Sequence, residues 1–166
     1  NCPRSEALRL MEASLPIAEK NKNTEFVNDI KEIISGHSLN NHPMLDVLNS
    51  GDLQFTDLQS IHLEYREAIV KIFTDALTIA VFNTRQLEPR LPPGSKMAAR
   101  ALLTLNCLDE FGFQVGTSET GYYIGTPEEA HYPLFEKVLT QLGLDNDSIS
   151  NYQPSSDAVN LKIFLE

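Results

Sequence analysis

The segment between Thr56 and Phe82 constrains the fold most, because apolar side chains recur along it at helical spacing without a break. Thr56 followed by Gln59 fits a capping box, which predicts that the helix begins there. Each residue of an α-helix is rotated by about 100° from the one before it, so these apolar side chains cover most of the circumference. Such a helix belongs in the middle of a bundle, and the segment therefore predicts an all-α protein.

A narrow polar strip interrupts the apolar faces of this helix. Its members are Glu64, Glu67, Lys71, Thr74, Asp75 and Thr78. Carboxylates at i, i+3 spacing are one way in which bundle helices hold metal ions, and adjacent carboxylates need a cation or a proton to offset their repulsion. Lys71 can supply that charge instead, because it has the i, i+4 spacing of an ordinary solvent-facing ion pair with Glu67. From the spacing alone, a metal or acid–base site and a solvent-facing ion pair both remain open.

Shorter helical patterns, separated by proline and glycine, occupy most of the remaining chain. They begin at Ser5 with a break near Pro16, run from about Asn23 to Gly36, from Pro43 to Gly51, from Ser95 to Gly112 and from Pro133 to Gly143, and resume at Asp157. Residues 112–126 are predicted to form a loop or a short hairpin, and residues 145–156 a loop. We expect a single helical domain over residues 1–166.

Charge and composition limit the classes of partner. The net charge is −10 and the sequence pI is about 4.8, which disfavours nucleic acid because an acidic surface repels phosphate. The sequence contains no apolar run of the roughly 20 residues that a membrane span needs. Cys2 and Cys107 form neither a disulfide framework nor a CxxC motif, which favours a cytoplasmic location. Cys107 is predicted to be a small buried core residue.

Two further groups of residues are candidates for a site. His42 and His62 are possible metal ligands, although a lone histidine is more often a hydrogen-bonded structural residue. His37 and His131 fall at helix ends or in loops, where exposure is the simpler explanation. Asp109 and Glu110 lie in the last turn of their helix, where carboxylates oppose the macrodipole. That cost predicts a compensating partner, which could be an arginine, the N-terminus of another helix or a metal.

Several segments, taken in order, resemble proteins of the haem-oxygenase-like superfamily. They are His42-Pro43, Gly51-Asp52-Leu53, the helix of residues 56–82, the NCLDEFG motif of residues 106–112, AHYPLFEKVLTQLGLD at 130–145 and QPSSDAVNLKIFLE at 153–166. Over residues 38–166 the chain is similar to the group that contains the TenA thiaminases, pyrroloquinoline-quinone biosynthesis protein C and the chlamydial death-domain-associated protein. The resemblance implies a haem-oxygenase-like helical bundle. Because the last helix stops abruptly at Glu166, we expect the chain to be the N-terminal part of a longer domain.

The resemblance also implies a chemistry. Metal-using members of the superfamily are oxidoreductases with two non-haem iron ions, in which the long helix donates a glutamate and usually a histidine. By this resemblance Glu64 and Glu67 are the iron ligands, with His62 as a further candidate. Dioxygen and a small-molecule substrate would meet in an internal cavity shaped by Tyr65 and by Tyr122 or Tyr123. The His-x-x-x-Asp-x-x-His cluster of those relatives has no counterpart in this sequence.

Two alternatives need no metal. The first is a thiaminase-like hydrolase of the same fold, in which Cys107 would be the nucleophile. The second is a protein that binds a small ligand, or forms a homodimer, without catalysis. In that case Lys71 would pair with Glu64 or Glu67.

Overall fold

The computed structural model describes residues 2–88, 90–115 and 123–166, and these ranges are helical nearly throughout, which confirms the all-α class. The helices are α1 (Pro3–Ser14), α2 (Ile17–Gly36), α3 (Pro43–Ser50), α4 (Phe55–Tyr65), α5 (Phe73–Asn83), α6 (Pro93–Glu110), α7 (His131–Gln141), α8 (Asn146–Ser150) and α9 (Ser156–Leu165). Two short strands, β1 (Phe113–Val115) and β2 (Tyr123–Gly125), pair antiparallel with Phe113 opposite Gly125. Turns of 3₁₀-helix cover Ser38–Asn41, Thr84–Leu87 and Pro127–Glu129. None of the helices in the described ranges has both the length and the apolar character needed to cross a bilayer.

The start of the long helix differs from the prediction. A capping box does form, but it joins Gln54 to Asp57 rather than Thr56 to Gln59, and the backbone N–H of Gln54 donates to Asp57 Oδ2 at 3.0 Å. The physical reason is that the Asp57 carboxylate reaches back to an N–H group that has no partner within the helix. The helix therefore begins at Phe55.

The long helix is also interrupted, which the sequence pattern did not predict. Residues Arg66–Val70 form a π-helical turn, in which the N–H of Lys71 donates to the carbonyl of Arg66 at 3.1 Å. A π turn holds one residue more than an α turn, so the residues after it are rotated by roughly 100° relative to a straight helix. The two apolar faces expected of one continuous helix are consequently rearranged between α4 and α5.

Other helix starts lie a few residues earlier than predicted. The chain breaks at Pro16 as expected, but α2 already begins at Ile17. Helix α6 begins at Pro93, because Ser95 is buried and donates its hydroxyl hydrogen to Ser14 Oγ at 3.0 Å instead of capping the helix. Helix α1 begins at Pro3 and α7 at His131. The predicted loop of residues 145–156 contains the short helix α8, which is capped by the Asp145 side chain.

Helix α7 is held against the long helix by a small apolar core. Leu63 of α4, Leu139 of α7 and Ile149 of α8 are buried together. Phe135, Leu144 and Tyr152 pack around them. This cluster fixes the position of α7 beside the π turn, and the candidate site lies at that junction.

A tight chain reversal brings the end of α6 to the start of α7. Gly112 has a φ of 81°, and a Cβ atom there would lie 2.5 Å from the backbone nitrogen of Ala130. Only glycine fits so close a backbone approach at a positive φ. Strands β1 and β2 confirm the short hairpin that was one of the two options for residues 112–126, and residues 116–122 lie outside the described ranges.

Two consecutive helices expose a large apolar surface. We call it the α2–α3 surface, and its members are Phe26, Val27, Ile30, Ile33 and Ile34 on α2, Leu39 on the following turn, and Met44, Leu45, Val47 and Leu48 on α3. These ten side chains are between 38% and 65% exposed. Neither helix contributes a buried residue, so the described chain leaves this surface in contact with water.

Candidate functional site

Glu64 is partly buried and joins the long helix to the segment around Ser155. Its Oε1 accepts hydrogen bonds from the Tyr152 hydroxyl at 2.5 Å and from the Ser155 backbone N–H at 2.9 Å. Its Oε2 accepts from the Ser155 hydroxyl at 2.7 Å. The Ser155 hydroxyl oxygen in turn accepts from the backbone N–H of Ala158 and caps α9. The carboxylate therefore fixes the N-terminus of α9 beside α4.

These hydrogen bonds set the ionisation of both partners. Partial burial opposes ionisation of Glu64, but the hydrogen bonds from Tyr152 and Ser155 outweigh it, and the pKa of the carboxyl falls below its ordinary value of 4.5. Burial and then the Glu64 carboxylate raise the pKa of Tyr152 to about 12. Because the pKa of Glu64 is lower in the folded than in the unfolded chain, this network stabilises the fold above the unfolded pKa. That contribution is lost as the pH falls through the folded pKa.

Glu67 belongs to a second, separate network. Its Oε2 accepts from Lys71 Nζ at 2.9 Å, which is the i, i+4 ion pair that the spacing allowed. Its Oε1 accepts from Arg66 Nη1 at 2.5 Å, and Arg66 Nε donates to Glu136 of α7 at 2.5 Å. The Glu67 side chain is 14% exposed and that of Lys71 is 35% exposed, so the pair is partly shielded from solvent. Burial opposes the charge on Arg66, but the hydrogen bond to Glu136 outweighs it and raises the arginine pKa.

His62 is a packed, hydrogen-bonded residue. Its Nδ1 donates to the carbonyl of Leu58 at 2.7 Å, and its ring stacks on Phe135 with centroids 5.9 Å apart. His42 accepts from the backbone N–H of Met44 and caps α3, and His37 likewise caps the following 3₁₀ turn. These contacts give the histidines structural roles.

The predicted iron ligands do not converge in this structure. Glu64 and Glu67 each accept hydrogen bonds from protein donors, in networks that share no residue. Across residues 2–88, 90–115 and 123–166, no three His, Cys, Asp or Glu side chains come together in a way that could hold a metal ion. The donor set described here therefore does not fit a di-iron centre by itself, and binding by Glu64 would require the displacement of Tyr152 and Ser155.

A cleft opens beside the same helix, between the π turn, the start of α5 and helix α7. Its volume is about 320 Å³. The lining residues are Tyr65, Ile69, Val70, Phe73, Thr74, Glu110, His131, Tyr132 and Phe135. Five of these lining residues, from Tyr65 to Thr74, belong to the long helix. In a straight helix they would be spread over two apolar faces and the polar strip, but the π turn brings them to one wall of the cleft.

The cleft carries one pair of polar side chains suited to a ligand. His131 Nδ1, at the start of α7, lies 2.9 Å from Glu110 Oε2, at the end of α6. The Glu110 side chain is 15% exposed and that of His131 is 52% exposed. The carboxylate at the end of α6 therefore has a partner, but this partner is a histidine side chain, which was not among the three predicted ones. The pair places two polar side chains at the edge of a mostly apolar cleft.

The remaining predicted site residues fall in different places. Tyr65 lines the cleft as expected, whereas Tyr122 and the side chain of Tyr123 lie outside the described parts of the chain. Cys107 is buried, as predicted, and burial raises the pKa of its thiol. It does not line the cleft, and a raised pKa leaves little nucleophilic thiolate.

Sequence reasoning missed most of the cleft residues. Tyr132 and Phe135 are ordinary apolar positions of an amphipathic helix, and nothing in their spacing separates a cleft wall from a core face. One signal was available in the sequence. Carboxylates at the end of α6 oppose the helix macrodipole, and this made Glu110 a candidate site residue. Comparisons with protein-family models, with curated proteins and with solved structures found no match.

We predict that the substitution Tyr152→Phe destabilises the fold by about 1.5–3 kcal/mol, the usual contribution of a hydrogen bond to a charged group. Urea unfolding at neutral pH measures this change in the free energy of unfolding. The matched control is Tyr65→Phe, because the Tyr65 hydroxyl makes no hydrogen bond with the described residues. Equal stability of the two variants would contradict the role assigned to Glu64.

Proposed function

We propose that this chain has a haem-oxygenase-like helical fold and binds a small, largely apolar molecule in the cleft beside the π turn. The observation that carries the proposal is the cleft itself, with apolar walls and the Glu110–His131 pair at its edge. Ligand sites are typically about 300–1,000 Å³, mostly apolar and equipped with a few placed polar groups. The order of the resembling segments along residues 38–166 supports the choice of fold.

The π turn also supports the assignment of this cleft as a ligand-binding site. Single π turns within α-helices are uncommon and occur frequently at functional sites. Here the turn places Ile69 and Val70 on the wall shared with Tyr65 of α4 and Phe73 of α5. The irregular backbone and the cleft therefore coincide.

Indole, a neutral aromatic probe, tests the cleft directly in a titration of ¹⁵N-labelled protein followed by amide shifts. We expect the shifts to cluster at Ile69, Val70 and Tyr132 and to disappear in Val70→Trp, because the new ring fills the space. Thr78→Trp places the same ring about one turn beyond the cleft and serves as the control. Shifts confined to the α2–α3 surface, or unchanged in Val70→Trp, would overturn the proposal.

Iron-dependent oxidation, which the resemblance implies, is a separate proposal with its own requirements. Glu64 and Glu67 are engaged by protein donors, so an iron site would need additional ligands and a rearrangement of both networks. Tyr152 and Ser155 would have to release Glu64, and Arg66 and Lys71 would have to release Glu67. The described geometry supports binding by the cleft more directly than it supports this chemistry.

We expect the 166-residue chain, purified anaerobically with Fe(II), to retain less than one iron per chain after desalting. Elemental analysis by mass spectrometry measures the content, and Glu64→Gln and Glu67→Gln should leave it unchanged. Stoichiometric iron in the wild type that is lost in both variants would establish these glutamates as ligands. In that case the oxidase proposal would replace the metal-free one.

A thiaminase-like mechanism has less support from the geometry. It requires a reactive thiolate next to the bound substrate. Cys107 is buried within α6, has a raised pKa and is absent from the cleft lining. We therefore do not assign a nucleophile, and the proposal stops at binding.

We also propose that the protein forms a homodimer through the α2–α3 surface. The exposed parts of its ten side chains, which are 38–65% exposed, sum to on the order of 1,000 Å². A standard interface buries about 800 Å² per partner, so this area is sufficient.

Sedimentation equilibrium of the wild type should give a dimer, and Ile33→Asp should give a monomer because it buries an unpaired charge in the interface. Asn28→Asp adds the same charge to α2 outside this surface and should remain a dimer. A monomeric wild type, or a dimer that survives Ile33→Asp, would contradict the assignment of the interface.

A further inference from the structure

The described side chains that line the cleft carry negative charge and no lysine or arginine to balance it. Among its described lining residues, Glu110 is the only side chain that is formally charged at neutral pH, and neither lysine nor arginine is present. Within the described residues, His131 is the basic group that pairs with Glu110, and its side chain is half-exposed to solvent. The C-terminus of α6 and the N-terminus of α7 meet at this edge, and their dipoles oppose each other. The carboxylate therefore determines the sign of the local potential.

Two cations next to the cleft, Arg66 and Lys71, do not reverse that sign. Arg66 lies over the ring of Tyr132, with its Cζ 5.8 Å from the ring centroid. Its guanidinium is already bound by Glu136 and Glu67, and Lys71 is bound by Glu67. These two cations and two anions cancel. The whole chain carries a net charge of −10, which further disfavours an anionic ligand.

The other walls suit a cation as well as an apolar group. Four aromatic side chains line the cleft, namely Tyr65, Phe73, Tyr132 and Phe135. Tyr65 and Phe135 form a corner, with centroids 5.7 Å apart and ring planes inclined by 49°. Aromatic faces attract ammonium groups, by roughly 0.5–2 kcal/mol each depending on desolvation. The contact of Arg66 with Tyr132 is an example within this protein.

Glu110 also has an oxygen available to a ligand. Its Oε2 pairs with His131 Nδ1, whereas Oε1 accepts no hydrogen bond from the residues that the structure describes. The side chain is 15% exposed, so most of its hydration has been removed on folding. An ammonium group in the cleft would restore a charge-assisted partner to that oxygen.

We propose that the cleft selects a small organic cation, an ammonium group attached to an apolar or aromatic body, over neutral or anionic molecules of the same shape. The ammonium group pairs with Glu110, and the apolar body lies against the aromatic rings and the aliphatic side chains of the π turn. This inference rests on the proposed function, because it specifies the ligand class of the same cleft.

Three probes of nearly equal shape test it in amide-shift titrations at neutral pH, namely benzylammonium, benzyl alcohol and benzoate. We expect benzylammonium to bind about tenfold more tightly than benzyl alcohol, a difference of about 1.4 kcal/mol. Benzoate should bind more weakly than either. The preference for benzylammonium should decrease when sodium chloride is added, because salt screens the partly exposed charge pair.

Glu110→Gln should remove the preference for benzylammonium while leaving the affinity for benzyl alcohol unchanged. Glu128→Gln neutralises an exposed carboxylate outside the cleft and should keep the preference. If Glu110→Gln does not fold, the wild-type ranking and its salt dependence still decide the matter. Equal or tighter binding of benzyl alcohol in the wild type would overturn the cation assignment and leave the cleft as a binding site. Absence of shifts at the cleft with all three probes would overturn the proposed function as well.

Discussion

The carboxylate of Glu64 is the contact on which the arrangement of the second half of the chain depends. It accepts hydrogen bonds from Tyr152 and from the backbone and side chain of Ser155, which are about 90 residues away in sequence. Ser155 caps α9, and α9 packs against the π turn. A partly buried carboxylate without these donors would be costly, so the network both needs and fixes the position of α9.

The long helix makes two kinds of contact. One side, with Glu64 and Glu67, is occupied by contacts that hold α7 and α9 in place. The other side, beyond the π turn, faces a cleft whose walls are mostly apolar and whose polar pair comes from α6 and α7. The acidic strip turns inward only in part, because Glu64 and Glu67 are partly buried whereas Asp75 and Thr78 are exposed. The partners of the two glutamates are protein donors, and the space available to a ligand lies in the neighbouring cleft.

Sequence signals that act within a few residues, such as glycine at a helix end or charges at i, i+4 spacing, predicted the corresponding local structure. Gly51, Gly112 and Gly143 adopt the left-handed conformation at the helix ends where their positions predicted it. The Glu67–Lys71 pair follows from its i, i+4 spacing. The macrodipole predicted that Glu110 would have a partner, but not that the partner would be the His131 side chain. The π turn could not be predicted, because the residues Arg66–Val70 have no composition that excludes an α turn. The bonds between Glu64 and residues near 155 depend on tertiary packing, which a single sequence does not encode in any periodicity.

The ionisation of Glu64 in the folded protein tests the central claim most directly. A ¹³C-detected pH titration of its side-chain carboxyl carbon reports the pKa of that residue alone. We expect a midpoint below the ordinary value of 4.5, because hydrogen bonds from Tyr152 and Ser155 stabilise the charged form more than partial burial opposes it. A midpoint at or above that value would contradict the network, since a partly buried carboxylate that lacks these donors has a raised pKa.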